Sequence, residues 1–105
     1  MSDFRIPADG PIIATEADFT DFIGEAAWGG FTRIIVPVGR LSPDFFRLST
    51  GLAGAILQKA TNYRLKVAIV GDISAFTEKS GPLRDFVYES NGRGDIRFIA
   101  SEADL

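Results

Sequence analysis

Two adjacent hydroxyls, Ser49 and Thr50, stand with Gly51 directly ahead of the apolar helical run "LAGAILQKA". An oxygen in that place accepts a hydrogen bond from a free N–H of the first helical turn. The same N–H groups and the helix dipole also suit a phosphate. Ser49, Thr50 and Gly51 are therefore candidates for a phosphorylation or anion-binding site as well as for a cap. Asp72 follows the run "LKVAIVG", with Ser74 shortly after it. Open α/β sheets bind ligands where a strand ends, which makes Asp72 and Ser74 a candidate ligand-binding pair and Asp72 alternatively a plain turn residue. Asp85 and Glu89, four apart, repel unless Arg84 or another cation lies close. Two carboxylates on one helical turn suit metal binding or acid–base work, but no third ligand is near in sequence, so a solvated helix face is expected and no metal site. The stretch Gly92 to Gly94 opens onto a strand rather than a helix and fails the phosphate-loop pattern.

The residue types that are missing exclude more. The 105 residues contain no cysteine and no histidine. Disulfides, thiolate nucleophiles, tetrahedral zinc sites and imidazole bases are ruled out, and no cofactor is expected. The net charge is −3, and the eleven Lys and Arg residues are spread singly. Binding to a phosphate backbone needs a concentrated positive face, so nucleic acid is not an expected partner. The longest apolar runs, such as "VAIV" at Val67 to Val70, are strand-length and cannot span a bilayer. The start "MSDFRIPADG" has neither the basic nor the apolar stretch of a signal peptide. A cytoplasmic protein without a membrane anchor is expected.

These candidates need elements to position them. At this length one domain with a sizeable core is expected. Phe19, Phe22, Ile23 and Ala26 recur at helical spacing within Thr15 to Trp28, with Thr15 as cap and Gly29-Gly30 as stop. "TRIIVPV" at Thr32 to Val38 reads as a strand that Pro37 confines to an end or a bulge. Ser42 and Pro43 open a short helical turn. A helix over Thr50 to Thr61 turns Leu52, Ile56 and Leu57 to the core. "LKVAIVG" at Leu65 to Gly71 is apolar at nearly every position, as for a central strand with helices over both faces. After a loop through Asp72 to Ser80, Pro82 opens a helix that buries Leu83, Phe86 and Val87 and stops at Asn91-Gly92. "DIRFIA" at Asp95 to Ala100 is the last strand, and Ser101 begins a helix.

The predicted fold class is thus α/β: a single domain over residues 1–105, with a mostly parallel sheet of about four strands and helices packed against it. The strands at Thr32 and Leu65 should be adjacent at its centre. Two hexapeptides match in type, "ATEADF" from Ala14 and "ASEADL" from Ala100. Each sets a hydroxyl three residues before an aspartate, close to a capping box, which marks two strand-to-helix junctions. Phe45 and Phe46 are consecutive, so a helical turn cannot bury both equally. With Phe76 and Trp28 they are either core or an exposed patch of the kind that marks a partner surface, a homodimer being one form.

"TGLAGAILQKATNYRLKVAIVGDIS" together with "LRDFVYESNGRG" resembles a small bacterial family described as domain of unknown function 4180. The likeness runs from about Arg33 to Ala100. That family has no established activity, so the resemblance implies a fold rather than a reaction. The layout is also similar to the STAS domains of anti-sigma factor antagonists. In those domains a Ser or Thr at the start of the helix after a central strand is phosphorylated by a partner kinase, and this switches binding. Ser49 to Gly51 occupies the matching place, although Leu48 stands where those domains carry an aspartate. The leading expectation is a non-catalytic regulatory or protein-interaction module of STAS-like layout. The alternative is a small-molecule or anion-binding protein, or an enzyme, using Asp72, Thr50 and Ser74 at the C-terminal edge of the sheet.

Overall fold

The computed structural model describes residues 3–105. Four strands, β1 (Asp3–Arg5), β2 (Arg33–Pro37), β3 (Lys66–Val70) and β4 (Ile96–Ile99), form one sheet in the order β1-β2-β3-β4. Every neighbouring pair is parallel. Helices α1 (Glu16–Trp28), α2 (Leu52–Asn62), α3 (Ser74–Thr77) and α4 (Gly81–Arg93) lie in the connections. The two strands expected at the centre are there and adjacent, and Pro37 ends its strand where no further ladder N–H is needed.

Local chemistry sets the helix ends. Thr15 Oγ1 accepts from the Asp18 N–H at 3.1 Å, and the Asp18 carboxylate accepts from the N–H of Thr15 at 3.2 Å. The matching capping box forms at Ser101 and Asp104, around a turn of 3-10 helix over Glu102–Asp104. Both hexapeptides are therefore helix starts. Helix α4 begins with Ser80 Oγ accepting from Leu83 N–H and Pro82 in the first turn. It does not stop at Asn91-Gly92 but runs to Arg93 and ends on Gly94 in the left-handed region. The Asn91 side chain instead accepts from the Phe98 N–H at 2.7 Å and donates to the Phe98 carbonyl at 3.3 Å. It satisfies the outer edge of β4 as a further strand would.

Successive parallel strands joined by right-handed crossovers put every helix on the same side of the sheet. The main core follows that rule. Ile34, Val36, Val67, Ile69 and Phe98 point to one face, against Phe19, Ile23 and Ala26 of α1, Ile56, Leu57 and Ala60 of α2, and Leu83 of α4. The expectation of helices on both faces is thus corrected. On the other face Ile35, Ala68 and Ile99 form a small cluster joined by Val70 and Leu105, with no helix residue in it. They are inaccessible because the chain's last turn folds over them, held by Arg5 Nε to Glu102 Oε1 at 2.7 Å and Arg97 Nη2 to the Asp104 carbonyl at 3.0 Å. The strand β1 was not foreseen. It holds its place through three paired residues and a forked Arg33–Asp3 contact, Nε to Oδ1 at 3.0 Å and Nη2 to Oδ2 at 3.1 Å.

The segment between β1 and α1 anchors Ile6 and Ile13 in the core, and Arg40 organises the turns between them. That side chain is 5% exposed. Its guanidinium donates to the carbonyls of Pro7, Asp9 and Pro11 at 2.6, 3.1 and 3.0 Å and lies 5.7 Å from the Phe22 ring centroid. Gly10 passes so close that an added Cβ would lie 2.7 Å from Arg40 Cζ, at a φ of +144°. Only glycine fits there.

Candidate functional site

At the C-terminal edge of the sheet two connections run side by side. One leaves β2 and reaches α2 through 3-10 turns at Val38–Arg40, Pro43–Phe46 and Leu48–Thr50. The other leaves β3 and reaches α4 through α3. Ser42 caps the second turn by accepting from Asp44 N–H at 3.2 Å, with Pro43 in the first helical position, as the spacing predicts. Between the connections lies a groove of about 560 Å³. Its floor is the Phe46 ring stacked on Phe76, centroids 4.3 Å apart and planes 13° from parallel. Arg47, Ser49, Lys79 and Ser80 are among its lining residues.

The two hydroxyls of the pair have separate fates. Helix α2 starts at Leu52, two residues later than the sequence suggests. Gly51 takes the left-handed conformation, φ +75°, and so turns the chain from the 3-10 turn into the helix. A side chain at that φ is strained, which gives the glycine its reason. Thr50 Oγ1 shares its hydrogen between the carbonyls of Asp44 and Arg47, each at 2.8 Å, and accepts from Leu52 N–H at 3.2 Å. It is spent as a clamp and cap. Ser49 is exposed, and its hydroxyl makes no hydrogen bond to another described residue.

Arg47 faces Asp44 at 3.6 Å, with both side chains more than half exposed, an ion pair that water screens heavily. Lys79 has no ion pair within 4.0 Å among the described residues. Neither cation stood out in the sequence, because single basic residues in polar loops are the commonest surface feature there is.

Asp72 and Ser74 do come together, in the plainer of the two ways foreseen. The Asp72 carboxylate accepts from Ser74 N–H at 2.9 Å. That bond, then the Ser74 hydroxyl, holds its pKa below the ordinary carboxylate value. Neither residue lines the groove. Arg84 donates to the Thr77 carbonyl at 2.6 Å instead of facing Asp85 and Glu89, which are exposed. Among the described residues no group of three or more Asp, Glu, His or Cys could hold a metal ion, and no helix is long and apolar enough to cross a membrane.

The aromatic patch is corrected in most of its members. Phe45 and Phe46 are 2% and 3% exposed, so both are core. Their rings meet edge to face with centroids 5.1 Å apart, and Phe76 stacks on Phe46, so both consecutive residues are covered. Phe76 is half-buried and completes the floor of the groove beside Phe46. Trp28 is 95% exposed but ends α1, at the edge where β2 begins, the opposite end of the molecule.

The model of one family, Domain of unknown function (DUF4180), matches residues 3–105. The chain belongs to that family. No curated protein and no solved structure matches it. The DUF4180 match takes in every element of the sheet, the groove and the C-terminal turn, so all of them are parts of the family's domain.

Proposed function

We propose that this chain is a non-catalytic interaction module, and that its partner seats in the groove between the β2–α2 and β3–α4 connections. The observation that carries the reading is the free Ser49 hydroxyl on a groove with an aromatic floor and two cations. Such a surface suits a partner segment that offers an apolar side chain to the Phe46–Phe76 stack and a carboxylate to Arg47 and Lys79. A phosphate on Ser49 would bring about −1.5 to −2 charges to the same two cations and displace that carboxylate. The placement also resembles the switch site of STAS domains, a hydroxyl ahead of the helix that follows a central strand.

The test measures partner capture by wild type, Ser49→Asp and Phe76→Asp, with intact-mass spectrometry of the protein isolated from its own cells. Partners held by wild type should be lost from both variants, and a phosphate should map to Ser49. Retention of every partner by Ser49→Asp, with no phosphate at Ser49, ends the switch reading; retention by Phe76→Asp ends the groove reading.

A further inference from the structure

At the other end of the α2–α4 pair, over the start of β4, lies a second cavity of about 300 Å³. Leu57, Phe86 and Ile96 give it an apolar side. Three features of its lining bear on what it can hold. The first is Gly54, in the first turn of α2, where alanine would favour the helix more. An added Cβ there meets nothing within 4 Å, so packing does not require glycine, and its effect is to keep the cavity mouth open.

The second is Ser90 in α4. It is 8% exposed, yet its hydroxyl bonds to no other described residue. The described residues hold no sealed side-chain nitrogen or oxygen without a partner, so this hydroxyl keeps an opening, and the cavity supplies it. An open hydroxyl of this kind is free to bond whatever fills the cavity, water or a ligand. The third is the pair Arg93 and Asp95. Both line the cavity, and neither forms an ion pair or side-chain hydrogen bond with another described residue, including the other. Gln58 and Thr61 differ, since their donors go to Asn62 and to the Leu57 carbonyl at 2.9 Å each.

We propose that this cavity binds a small zwitterion with an apolar tail, the class of free apolar amino acids. A space of this size holds roughly ten non-hydrogen atoms at the density of a liquid, too few for a nucleotide and enough for leucine. Arg93 takes the carboxylate, for which a guanidinium fork is shaped. Asp95 takes the ammonium, Ser90 shares a hydrogen bond with the polar end, and the tail lies among Leu57, Phe86 and Ile96. The site shares no lining residue with the groove, so it stands independently of the reading given for that groove.

The experiment titrates the whole chain with L-leucine, L-methionine and L-phenylalanine, followed by amide NMR shifts and calorimetry. At least one should bind with a Kd of about 1 mM or tighter, with shifts concentrated at Leu57, Ser90 and Ile96. For leucine, removing either charge, as in isocaproate or isopentylamine, should weaken binding about tenfold or more. Gly54→Leu fills the mouth and improves the helix, so it should melt at or above the wild-type temperature while abolishing binding. Arg93→Gln should erase the preference for leucine over isopentylamine. The proposal is overturned if none of the three amino acids moves those signals, if Gly54→Leu binds like wild type, or if the singly charged analogues bind as well as leucine.

Discussion

Thr50 and Ser49 are neighbours with the same chemistry, and the structure separates them by stability. Removing the Thr50 hydroxyl strips a cap from Leu52 N–H and a donor from the Asp44 and Arg47 carbonyls. Loss of a capping oxygen costs about 0.5–2 kcal/mol, and a net hydrogen bond about 0.5–1.5 kcal/mol. Because the residue is exposed and water partly replaces these bonds, Thr50→Ala should lose about 1–2 kcal/mol. In a domain of this size each kcal/mol lowers Tm by roughly 4–8 °C. Thr50→Ser keeps donor and acceptor and should stay within about 0.5 kcal/mol of wild type. Thr50→Asp keeps only an acceptor and sets a carboxylate against two carbonyl oxygens, so it should lose at least as much as alanine. Ser49→Ala and Ser49→Asp remove no bond and should each stay within about 0.5 kcal/mol. Urea melts of the five variants decide it. An equal loss for Ser49→Ala and Thr50→Ala, or full stability of Thr50→Asp, refutes the assignment of the clamp to Thr50.

Three further outcomes are expected. Arg40→Leu strands the carbonyls of Pro7, Asp9 and Pro11 and should cost at least about 3 kcal/mol, with new protease sensitivity between Ile6 and Ile13. Arg40→Lys should recover only part of it, since an ammonium cannot span three acceptors in a plane, and a loss below about 1 kcal/mol for Arg40→Leu in urea would show the segment to be held otherwise. Arg64 sits at φ +59° just past the end of α2, so Arg64→Gly should gain about 0.5–1 kcal/mol in the same melts, whereas a loss would mean the arginine side chain contributes more than its strain takes away. Asp3, through its hydrogen bond from Arg33, Asp18, through the Ala14 and Thr15 N–H groups, and Asp72, through Ser74 N–H, all have lowered pKa values. Groups of that sign stabilise above the unfolded-state pKa and lose their contribution as pH falls through the folded one. Stability should therefore be level near neutrality and decline below about pH 4, and Asp3→Asn should flatten the decline measured by acid titration of Tm.

What could be known from the sequence was what neighbouring residues decide among themselves. A hydroxyl three residues before an aspartate makes a capping box wherever the chain turns into a helix, so "ATEADF" and "ASEADL" were legible and both formed. The central strands declared themselves as well, because Ile34 to Val36 and Val67 to Val70 are apolar on both faces. What covers those faces was a tertiary matter. The strand order β1-β2-β3-β4 sends every crossover helix to one side, and the apolar residues left on the other side are closed over by the final turn and Leu105. Strand β1 is too short to show a period, and it exists only because β2 offers it a ladder. Arg40 and Asn91 carried no signal, since a lone arginine and an Asn-Gly pair read as solvated surface and helix stop. Their partners lie at least seven residues away, among carbonyls and N–H groups that face them only once the chain has folded. The separation of Ser49 from Thr50 has the same origin, because the Asp44 carbonyl that claims one hydroxyl and leaves the other free is placed by the packing of Phe45 and Phe46.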